Sequence, residues 1–394
     1  MNTIIKNKTI PLCVPEIRGN EWKYIKECLD TNWVSSVGKF VEQFERVLAD
    51  YVGSKYAVAC VNGTAALHMA LIVSGVKPDE EVLVPTLTFI APANAVRYLG
   101  AWPVFIDVER DTWQMDPQKV ADFLTKKCNF RDGRLVDRMT NRFVSAILPV
   151  HILGHPVDMD PILEIAERFG LTVIEDATES LGATYKKHKV GTLGDIACFS
   201  FNGNKIITTG GGGMIVTNNK SWAEKARYLT TQAKDDQIES IHHEIGYNYR
   251  LTNIQAAMGM AQMECLEEYI KIKRAIAGCY TRALVEVKGI TPPIKAAWAE
   301  SAFWLYTILV NEKNYGKSSR ELLKELRNAG IESRPFWHPL HLLKPFKDCY
   351  AHKIEIANRL YNEGLSLPSS VGIKQEDQER VIHVIKKNRL GKIR

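Results

Sequence analysis

Seven short apolar runs separated by helical segments dominate the stretch between residues 55 and 219. The runs are Tyr56–Val61, Glu81–Pro85, Val104–Val108, Val144–Pro149, Leu171–Asp176, Ile196–Phe201 and Gly213–Thr217. Intervening segments such as Thr64–Ser74 and Asp158–Phe169 carry apolar residues at helical spacing. Strands that alternate with helices predict crossover connections and a mostly parallel sheet covered on both faces. The sequence therefore predicts an α/β fold built on a seven-stranded sheet.

The pattern changes after residue 250. Asn253–Leu284 has helical spacing over a length unusual for a globular helix, which predicts an element that bridges two domains. Beyond it, Ala302–Val310 is typical of a strand and Arg320–Asn328 of a helix. We predict a large α/β domain over residues 1–250, with an N-terminal arm, and a smaller α+β domain over residues 251–394 that includes the long helix.

Residues with distinct chemistry follow three of the apolar runs. Gly63 and Thr64 come after the first run and open a helix, whose N-terminal N–H groups suit a phosphate. Asp176 ends the fifth run, and Lys205 follows the sixth, ahead of four glycines at 210–213. Ligands of an open parallel sheet bind at the carboxyl ends of its strands. We therefore expect these residues to lie around one site.

A lysine and an acid at two such strand ends indicate a particular chemistry. Desolvation disfavours the ammonium form of a lysine in apolar surroundings, and the neutral amine can form a Schiff base with an aldehyde. Pyridoxal phosphate requires such a lysine together with an acid for its pyridine nitrogen. Taken singly, Lys205 could be a surface lysine on a glycine-rich turn, and Asp176 could cap a helix. Together with the predicted phosphate site, they favour a pyridoxal phosphate enzyme.

The chain resembles the DegT/DnrJ/EryC1/StrS family from about Ile10 onwards. The resemblance rests on five segments in order, which read NGTAAL, PTLTFIAPANA, IEDATESLGA, FSFNGNKIITTGGGG and GYNYRLTNIQAA. It implies a fold-type-I, pyridoxal-phosphate-dependent sugar aminotransferase. Some members carry histidine in place of the residue that matches Lys205 and perform dehydration instead. Lysine at this position therefore favours amino transfer.

The resemblance also implies roles for the residues at the strand ends. Lys205 would bind the cofactor and afterwards act as general acid and base. Asp176 would lie against the pyridine nitrogen and keep it protonated. Gly63 and Thr64 would donate to the phosphate, as would Ser200, for which a buried strand serine is the alternative.

Three further cofactor contacts are implied by the same motifs. Asn248 matches an asparagine that reaches the phosphate from a neighbouring subunit, which implies a homodimer with shared sites. Phe89 matches an aromatic residue that stacks on the cofactor ring, with core packing as the alternative. Glu179 stands where many members place Gln or His near the ring hydroxyl. A carboxylate at this position has to be protonated or paired in order to donate.

Substrate contacts are less specific in the sequence. Arg334 and His341 resemble the small-domain segment near the nucleotide-sugar end, and arginine is well suited to phosphate. Trp33, in a polar loop, resembles a residue at the substrate entrance. Each of the three is equally well explained as a surface residue. His151 and His155 are four residues apart, but the intervening glycine and the following proline exclude a regular helix, so no metal site is predicted.

We therefore predict a homodimeric aminotransferase that moves an amino group from L-glutamate to a nucleotide-linked 4-keto-6-deoxy sugar. The N-terminal segments resemble the subgroup that makes UDP-4-amino-4,6-dideoxy-N-acetylglucosamine, on the way to bacillosamine or legionaminic acid in surface glycans such as lipopolysaccharide. The alternative within the family is an enzyme of the GDP-perosamine type. Two other classes are a pyridoxal-phosphate-binding regulator without turnover and a dehydratase, and the intact lysine argues against both.

Composition excludes several other classes of function. The net charge of +6 is spread without a dense Lys/Arg block, so nucleic-acid binding is not predicted, although a mild positive field suits a diphosphate. The eight cysteines form no C-x-x-C pair. No window approaches the roughly 18 apolar residues of a membrane span, and the first residues lack a signal-peptide pattern. We expect a cytoplasmic protein with no membrane partner.

Overall fold

The computed structural model describes residues 9–236 and 238–389. Helices α1 to α12 are Glu21–Asp30, Lys39–Val52, Gly63–Val73, Ala91–Tyr98, Pro117–Lys127, Met159–Phe169, Lys220–Thr230, Asn253–Leu284, Glu312–Tyr315, Ser319–Asn328, Ile356–Glu363 and Gln375–Asn388. Strands β1 to β17 are Tyr56–Cys60, Glu81–Pro85, Trp102–Ile106, Cys128–Arg131, Arg134–Asp137, Val144–Ile147, Thr172–Asp176, Thr184–Tyr185, His188–Lys189, Ile196–Ser200, Gly213–Thr217, Ile290–Thr291, Ala299–Glu300, Tyr306–Val310, Arg334–Pro335, Ala351–His352 and Gly364–Leu367.

The central sheet has eight strands in the order β1-β11-β10-β7-β6-β2-β3-β16. Strand β11 is antiparallel to both of its neighbours, and the remaining pairs are parallel. Each of the seven apolar runs overlaps a strand of this sheet, although β3 begins two residues before the predicted run Val104–Val108, so the predicted mostly parallel α/β fold is confirmed. The eighth strand, β16, pairs with β3 and forms one edge of the sheet. Its two residues form no apolar run, and for that reason the sequence did not predict it.

Both faces of the sheet are buried. Along β2, Val82 and Val84 pack into one apolar cluster, whereas Leu83 between them packs into another. Successive side chains of a strand point to opposite faces, so the two clusters lie on the two sides of the sheet. Parallel strands with helices on both faces require this pattern of apolar residues.

Helix α8 connects the sheet to a third apolar cluster. The helix begins with a capping box, in which Thr252 and Gln255 satisfy each other's free N–H groups. Near this end, Ala256 packs with the cluster beside the sheet, whereas Leu284 at the far end packs with the third cluster. That cluster underlies a second sheet, of order β12-β14-β17-β15. The bridging role of the helix agrees with the sequence, and the domain boundary at residue 250 stays a prediction.

An N-terminal arm, residues 9–16, ties the C-terminal part of the chain to the sheet. Ile10 forms a backbone bridge with Ile331. The N–H of Ser369 donates to the carbonyl of Leu12 at 2.7 Å, and the N–H of Val14 donates to Ser370 Oγ at 3.0 Å. The arm is therefore held by residues more than 300 positions further along the chain.

None of the helices within 9–236 and 238–389 combines the length and the hydropathy needed to cross a bilayer.

Two buried carboxyl groups meet below the amino-terminal end of the sheet. Glu81 and Asp137 are 1% and 0% exposed. Thr140 donates to Glu81 Oε1 at 2.7 Å, whereas Glu81 Oε2 and Asp137 Oδ2 receive no hydrogen bond from other described groups. Burial, together with the neighbouring carboxylate of Asp137, raises the pKa of Glu81 to about 7. The protonated form of Glu81 is therefore favoured up to nearly neutral pH.

We predict that Glu81→Gln removes a pH-dependent part of the stability. A folded pKa near 7 lies above the unfolded value of about 4.3, so the contribution of Glu81 is complete at low pH and is lost between about pH 4.3 and 7. The thermal midpoint of the variant should match that of the natural protein at pH 4 and exceed it by a few degrees at pH 8. Exposed Glu286 provides the control, as Glu286→Gln. Equal shifts at both pH values would contradict the raised pKa of Glu81.

Candidate active site

One cavity of about 530 Å³ lies at the carboxyl ends of the sheet strands. It brings together eight residues that the sequence predicts for the site, namely Gly63, Thr64, Phe89, Asp176, Glu179, Ser200, Lys205 and Arg334. They come from five separate stretches of chain, which the carboxyl end of the sheet brings together. Phe89 is 54% exposed, which fits a residue at an open site better than core packing.

Three predicted residues do not line this cavity. Asn248 is exposed and forms a backbone bridge with Thr231. Trp33 is 55% exposed, and its carbonyl accepts a hydrogen bond from Asn253 Nδ2 at 2.7 Å. His341 Nδ1 lies 2.7 Å from Thr86 Oγ1, a contact that orders the loop behind the site. Within the single chain, Trp33 and His341 therefore make structural contacts outside the cavity.

The start of helix α3 forms one wall of the cavity. Asn62 caps the helix by accepting from the N–H of Ala65 at 2.8 Å. The N–H groups of Gly63 and Thr64 precede the first helical hydrogen bond and are the free donors of this helix end. A Cβ on Gly63 would lie 2.9 Å from the Cβ of Ser200, which only glycine avoids. The helix start and Ser200 thus form a closely packed anion cradle.

Lys205 is almost enclosed in the opposite wall. Its side chain is 13% exposed, and Nζ lies 3.8 Å from Glu179 Oε1. The ring of Trp304 covers the amine, with Nζ 4.0 Å from the ring centroid. Burial lowers the pKa of the Lys205 ammonium, and the charges of Glu179 and Asp176 act against that shift. The balance keeps the neutral, nucleophilic amine accessible.

Asp176 occupies the end of β7 and lines the same cavity as the cradle and Lys205. It is 2% exposed, and its Oδ1 accepts from the N–H of Thr178 at 3.0 Å. Burial raises the pKa of Asp176, and the bond from Thr178 opposes this shift. A cation placed beside the carboxylate would offset its desolvation. Glu175, one residue earlier, points to the other face, where it accepts from His151 Nε2 at 3.0 Å.

Glu179 is held by a backbone donor in an unusual conformation. The N–H of Leu153 donates to Glu179 Oε2 at 2.8 Å. Leu153 itself has a φ of 58°, in the left-handed region that a branched residue seldom adopts. Burial raises the pKa of Glu179 to about 7, while the positive charge of Lys205 lowers it. This carboxyl group therefore changes charge close to neutral pH.

Trp304 is the main site residue that sequence patterns missed. It lies two residues before β14, inside an apolar run that is fully explained by core packing. Its Nε1 donates to the carbonyl of Asn204 at 2.6 Å, next to Lys205. Cys13 of the arm donates to the same carbonyl through Sγ at 3.2 Å. No local pattern links these residues to Lys205, because both contacts come from distant parts of the chain.

The chemistry of the cavity fits pyridoxal phosphate. The cradle of Gly63, Thr64 and Ser200 presents neutral donors suited to a phosphate. A buried acid, Asp176, suits a protonated ring nitrogen, and the enclosed amine of Lys205 suits an aldehyde. Within the described parts of the chain, no group of three or more His, Cys, Asp or Glu side chains is arranged to hold a metal ion.

The sheet and the cavity together define a class, the α/β enzymes that use pyridoxal phosphate to handle amino groups. Comparison with known sequences agrees with this class and identifies one family within it. Residues 15–386 match the DegT/DnrJ/EryC1/StrS aminotransferase family. The chain belongs to this family, and the predicted family, fold and cofactor are thereby confirmed.

Individual relatives match along nearly the whole chain. The GDP-perosamine synthase of Caulobacter vibrioides is 43% identical over 374 residues, which are 95% of this chain and 96% of the relative. A putative pyridoxal phosphate-dependent aminotransferase of Bacillus subtilis, EpsN, is 39% identical, with 96% and 95% covered. Among solved structures, a DegT/DnrJ/EryC1/StrS aminotransferase from Brucella abortus superimposes with a TM-score of 0.85 at 29% identity, with 94% and 95% covered.

We predict that Gly63→Ala weakens cofactor binding. The added methyl group would press on Ser200 and displace the helix start from the phosphate, at a cost of about 1–3 kcal/mol, or roughly tenfold to a hundredfold in the Kd of pyridoxal phosphate. Gly203 is a matched control, because a Cβ there meets nothing within 4 Å. Titration of cofactor-free protein by absorbance measures both variants. Equal affinity of Gly63→Ala and Gly203→Ala would contradict the cradle.

We predict that Glu179→Gln removes a transition near pH 7. Below that pH, Glu179 is protonated and the two proteins should react with L-glutamate at similar rates. Above that pH, the carboxylate of the natural protein favours the ammonium form of Lys205. The variant lacks this charge and should therefore react about tenfold faster than the natural protein at pH 8.5. Single-turnover absorbance kinetics between pH 5.5 and 8.5 provide the measurement. A transition near pH 7 that persists in the variant would assign it to another group.

Proposed function

We propose that the protein is an aminotransferase that moves the amino group of L-glutamate to the 4-keto carbon of a GDP-linked 4-keto-6-deoxy sugar. The observation that carries the proposal is the enclosed amine of Lys205, 3.8 Å from Glu179 and in one cavity with Asp176 and the phosphate cradle. Amino transfer needs a buried amine that can lose and regain a proton, and this environment supplies it.

Each residue of the cavity would have a separate role in amino transfer. Bound pyridoxal phosphate supplies an electron-withdrawing ring that stabilises negative charge on the substrate carbon. Gly63, Thr64 and Ser200 would hold its phosphate, and Asp176 would keep the ring nitrogen protonated. Lys205 Nζ would bind the aldehyde and, as a free amine, would accept a proton from the carbon of the amino donor and donate a proton to the carbon of the acceptor.

The environment of Lys205 supports this proton-transfer role. An unperturbed lysine has a pKa near 10.4 and is almost fully protonated at neutral pH. Burial lowers the pKa of Lys205 towards the working range, as a general base requires. Trp304 above the amine excludes water from one side, which limits loss of the proton to solvent.

Arg334 supports a nucleotide-linked acceptor. It lines the same cavity as Lys205, at the exposed outer end, and lies on β15 of the second sheet. An arginine at the mouth of the site is placed to bind a diphosphate or a carboxylate in a bidentate manner. We propose that it binds the diphosphate of the acceptor and a carboxylate of glutamate in turn, since both anions have to enter this cavity.

The comparisons favour GDP over UDP for the nucleotide. The relative named GDP-perosamine synthase is 43% identical over nearly all of both chains, whereas the resemblance to UDP-sugar enzymes rested on two short N-terminal segments. We therefore place the GDP-linked acceptor first, ahead of UDP-N-acetyl-4-keto-6-deoxyglucosamine. Product use in a surface glycan is part of the proposal in either case.

We further propose a homodimer with shared sites. Asn248 is exposed and outside the cavity of its own chain, next to apolar side chains such as Ile245, which is 88% exposed. Contact with a second copy would cover this surface and bring Asn248 to the partner's phosphate cradle.

A substrate panel tests the function. Purified protein is given L-glutamate and GDP-, UDP- or dTDP-linked 4-keto-6-deoxy sugars, and the amino sugar and 2-oxoglutarate are quantified. We expect kcat/KM to be at least tenfold higher for the GDP sugar, and Lys205→Ala to lose more than 99.9% of turnover with every substrate. Exposed Lys271→Ala is the matched control.

The same panel separates the other classes. A regulator would bind pyridoxal phosphate without releasing 2-oxoglutarate, and a dehydratase would release no amino sugar. A preference for the UDP sugar would refute the nucleotide assignment and leave the aminotransferase assignment intact. Turnover by Lys205→Ala would refute both.

A further inference from the structure

A second lysine, Lys273, is buried behind the site and takes no part in the function proposed above. It lies in the middle of α8 and is 2% exposed. Its Nζ donates to the carbonyl of Trp304 at 2.7 Å and to the carbonyl of Ser369. Neither partner is a carboxylate, and no ion pair of Lys273 with a described acidic residue is present. A buried ammonium held only by carbonyls is costly for a fold.

The two carbonyls belong to segments that enclose the active-site lysine. Trp304 carries the ring that covers Lys205 Nζ, and its Nε1 donates to the carbonyl of Asn204. Ser369 donates from its N–H to Leu12 of the arm, beside Cys13, whose Sγ reaches the same carbonyl of Asn204. Lys273 therefore binds both segments that contact the carbonyl of Asn204, the one through Trp304 and the other through Ser369 and the arm.

We propose that Lys273 is a positioning residue that fixes Trp304 over the amine of Lys205. The inference rests on the role of Lys205 stated under the proposed function, and it adds a residue that acts on that amine through another side chain. With the carbonyl of Trp304 held by the ammonium, the indole has one position, in which its face lies on Lys205 and its N–H on Asn204. Apolar residues at position 273 would leave both carbonyls without a donor.

The backbone around Trp304 shows why such an anchor is needed. Phe303, the preceding residue, has a φ of 49°, in the left-handed region that disfavours bulky side chains. The N–H of Ala302 donates to the carbonyl of Gly154 at 2.8 Å, which holds this segment on its other side. A segment in a strained conformation keeps its position only when surrounding bonds determine it. Lys273 supplies the bond on the side of the long helix.

The test measures the reactivity of Lys205 in the full-length protein without cofactor. Trace acetylation with acetic anhydride at pH 8, read by mass spectrometry, gives the rate for Lys205 relative to exposed Lys55 in the same chain. Loss of the indole cover opens a path for the reagent to the amine and removes a cation–π contact that favours the ammonium. These two effects raise the rate and outweigh the added hydration of the amine, which favours the ammonium. We expect about a tenfold increase in Lys273→Met and in Trp304→Leu, and no change in Lys271→Met on the same helix.

Two further variants separate positioning from general loss of structure. Lys273→Arg keeps a donor for the carbonyls and should stay within twofold of the natural rate. The double variant Lys273→Met with Trp304→Leu should match Trp304→Leu alone, since both act through the indole. If Lys273→Met yields no folded protein, Lys273→Gln, which keeps an amide donor of shorter reach, takes its place and should give a partial increase of about threefold.

A second readout uses the cofactor-loaded protein. The pH midpoint of the visible absorbance of bound pyridoxal phosphate should move in the same direction in Lys273→Met and Trp304→Leu. The inference is overturned if the Lys205 rate and this midpoint are unchanged in Lys273→Met while Trp304→Leu alters them, or if the double variant shows additive effects. Failure of the sugar assays would leave these measurements untouched, because they involve neither sugar nor turnover.

Discussion

Exclusion of water from the amine of Lys205 is the constraint on which the site depends. An exposed lysine would be protonated at neutral pH and could neither attack an aldehyde nor accept a proton. Here the sheet edge buries the amine, and Trp304 lies across its open side. Two buried carboxyl groups, Asp176 and Glu179, limit how far burial shifts the pKa. The electrostatic character of the site thus results from competition between desolvation and nearby charge.

Two bulky residues with left-handed backbone conformations contribute to the surroundings of the same amine. Leu153 presents its N–H to Glu179 from a left-handed conformation, and Phe303 has a similar conformation next to Trp304. Both are bulky residues for which this region costs of order 1–3 kcal/mol. They are stabilised by close contacts between the loop after β6 and the segment before β14. Strain of this kind is retained where it positions functional groups.

Much of the fold was predictable from the chain, because apolar runs and helical spacing report burial directly. All seven large strands of the main sheet and the full extent of the helix Asn253–Leu284 follow from such patterns. Strand β16 did not, since two residues paired with a sheet edge carry no periodic signal. Asp176 was recognised because it ends a strand, and Lys205 was recognised because it lies in the loop that follows a strand. Trp304 and Lys273 were not, because their positions depend on the tertiary contacts of a strand and a helix from another part of the chain.

The N-terminal arm has a consequence for how the protein is made. Leu12 and Val14 are among the first described residues to leave the ribosome, yet their partners Ser369 and Ser370 are among the last. Contacts of such wide separation form late, since the closure of a long loop precedes any stabilising bond. Cys13, which completes the cavity wall, sits between them. The finished cavity therefore depends on contacts between the two most distant parts of the described chain, and it closes only after Ser369 and Ser370 have been synthesised.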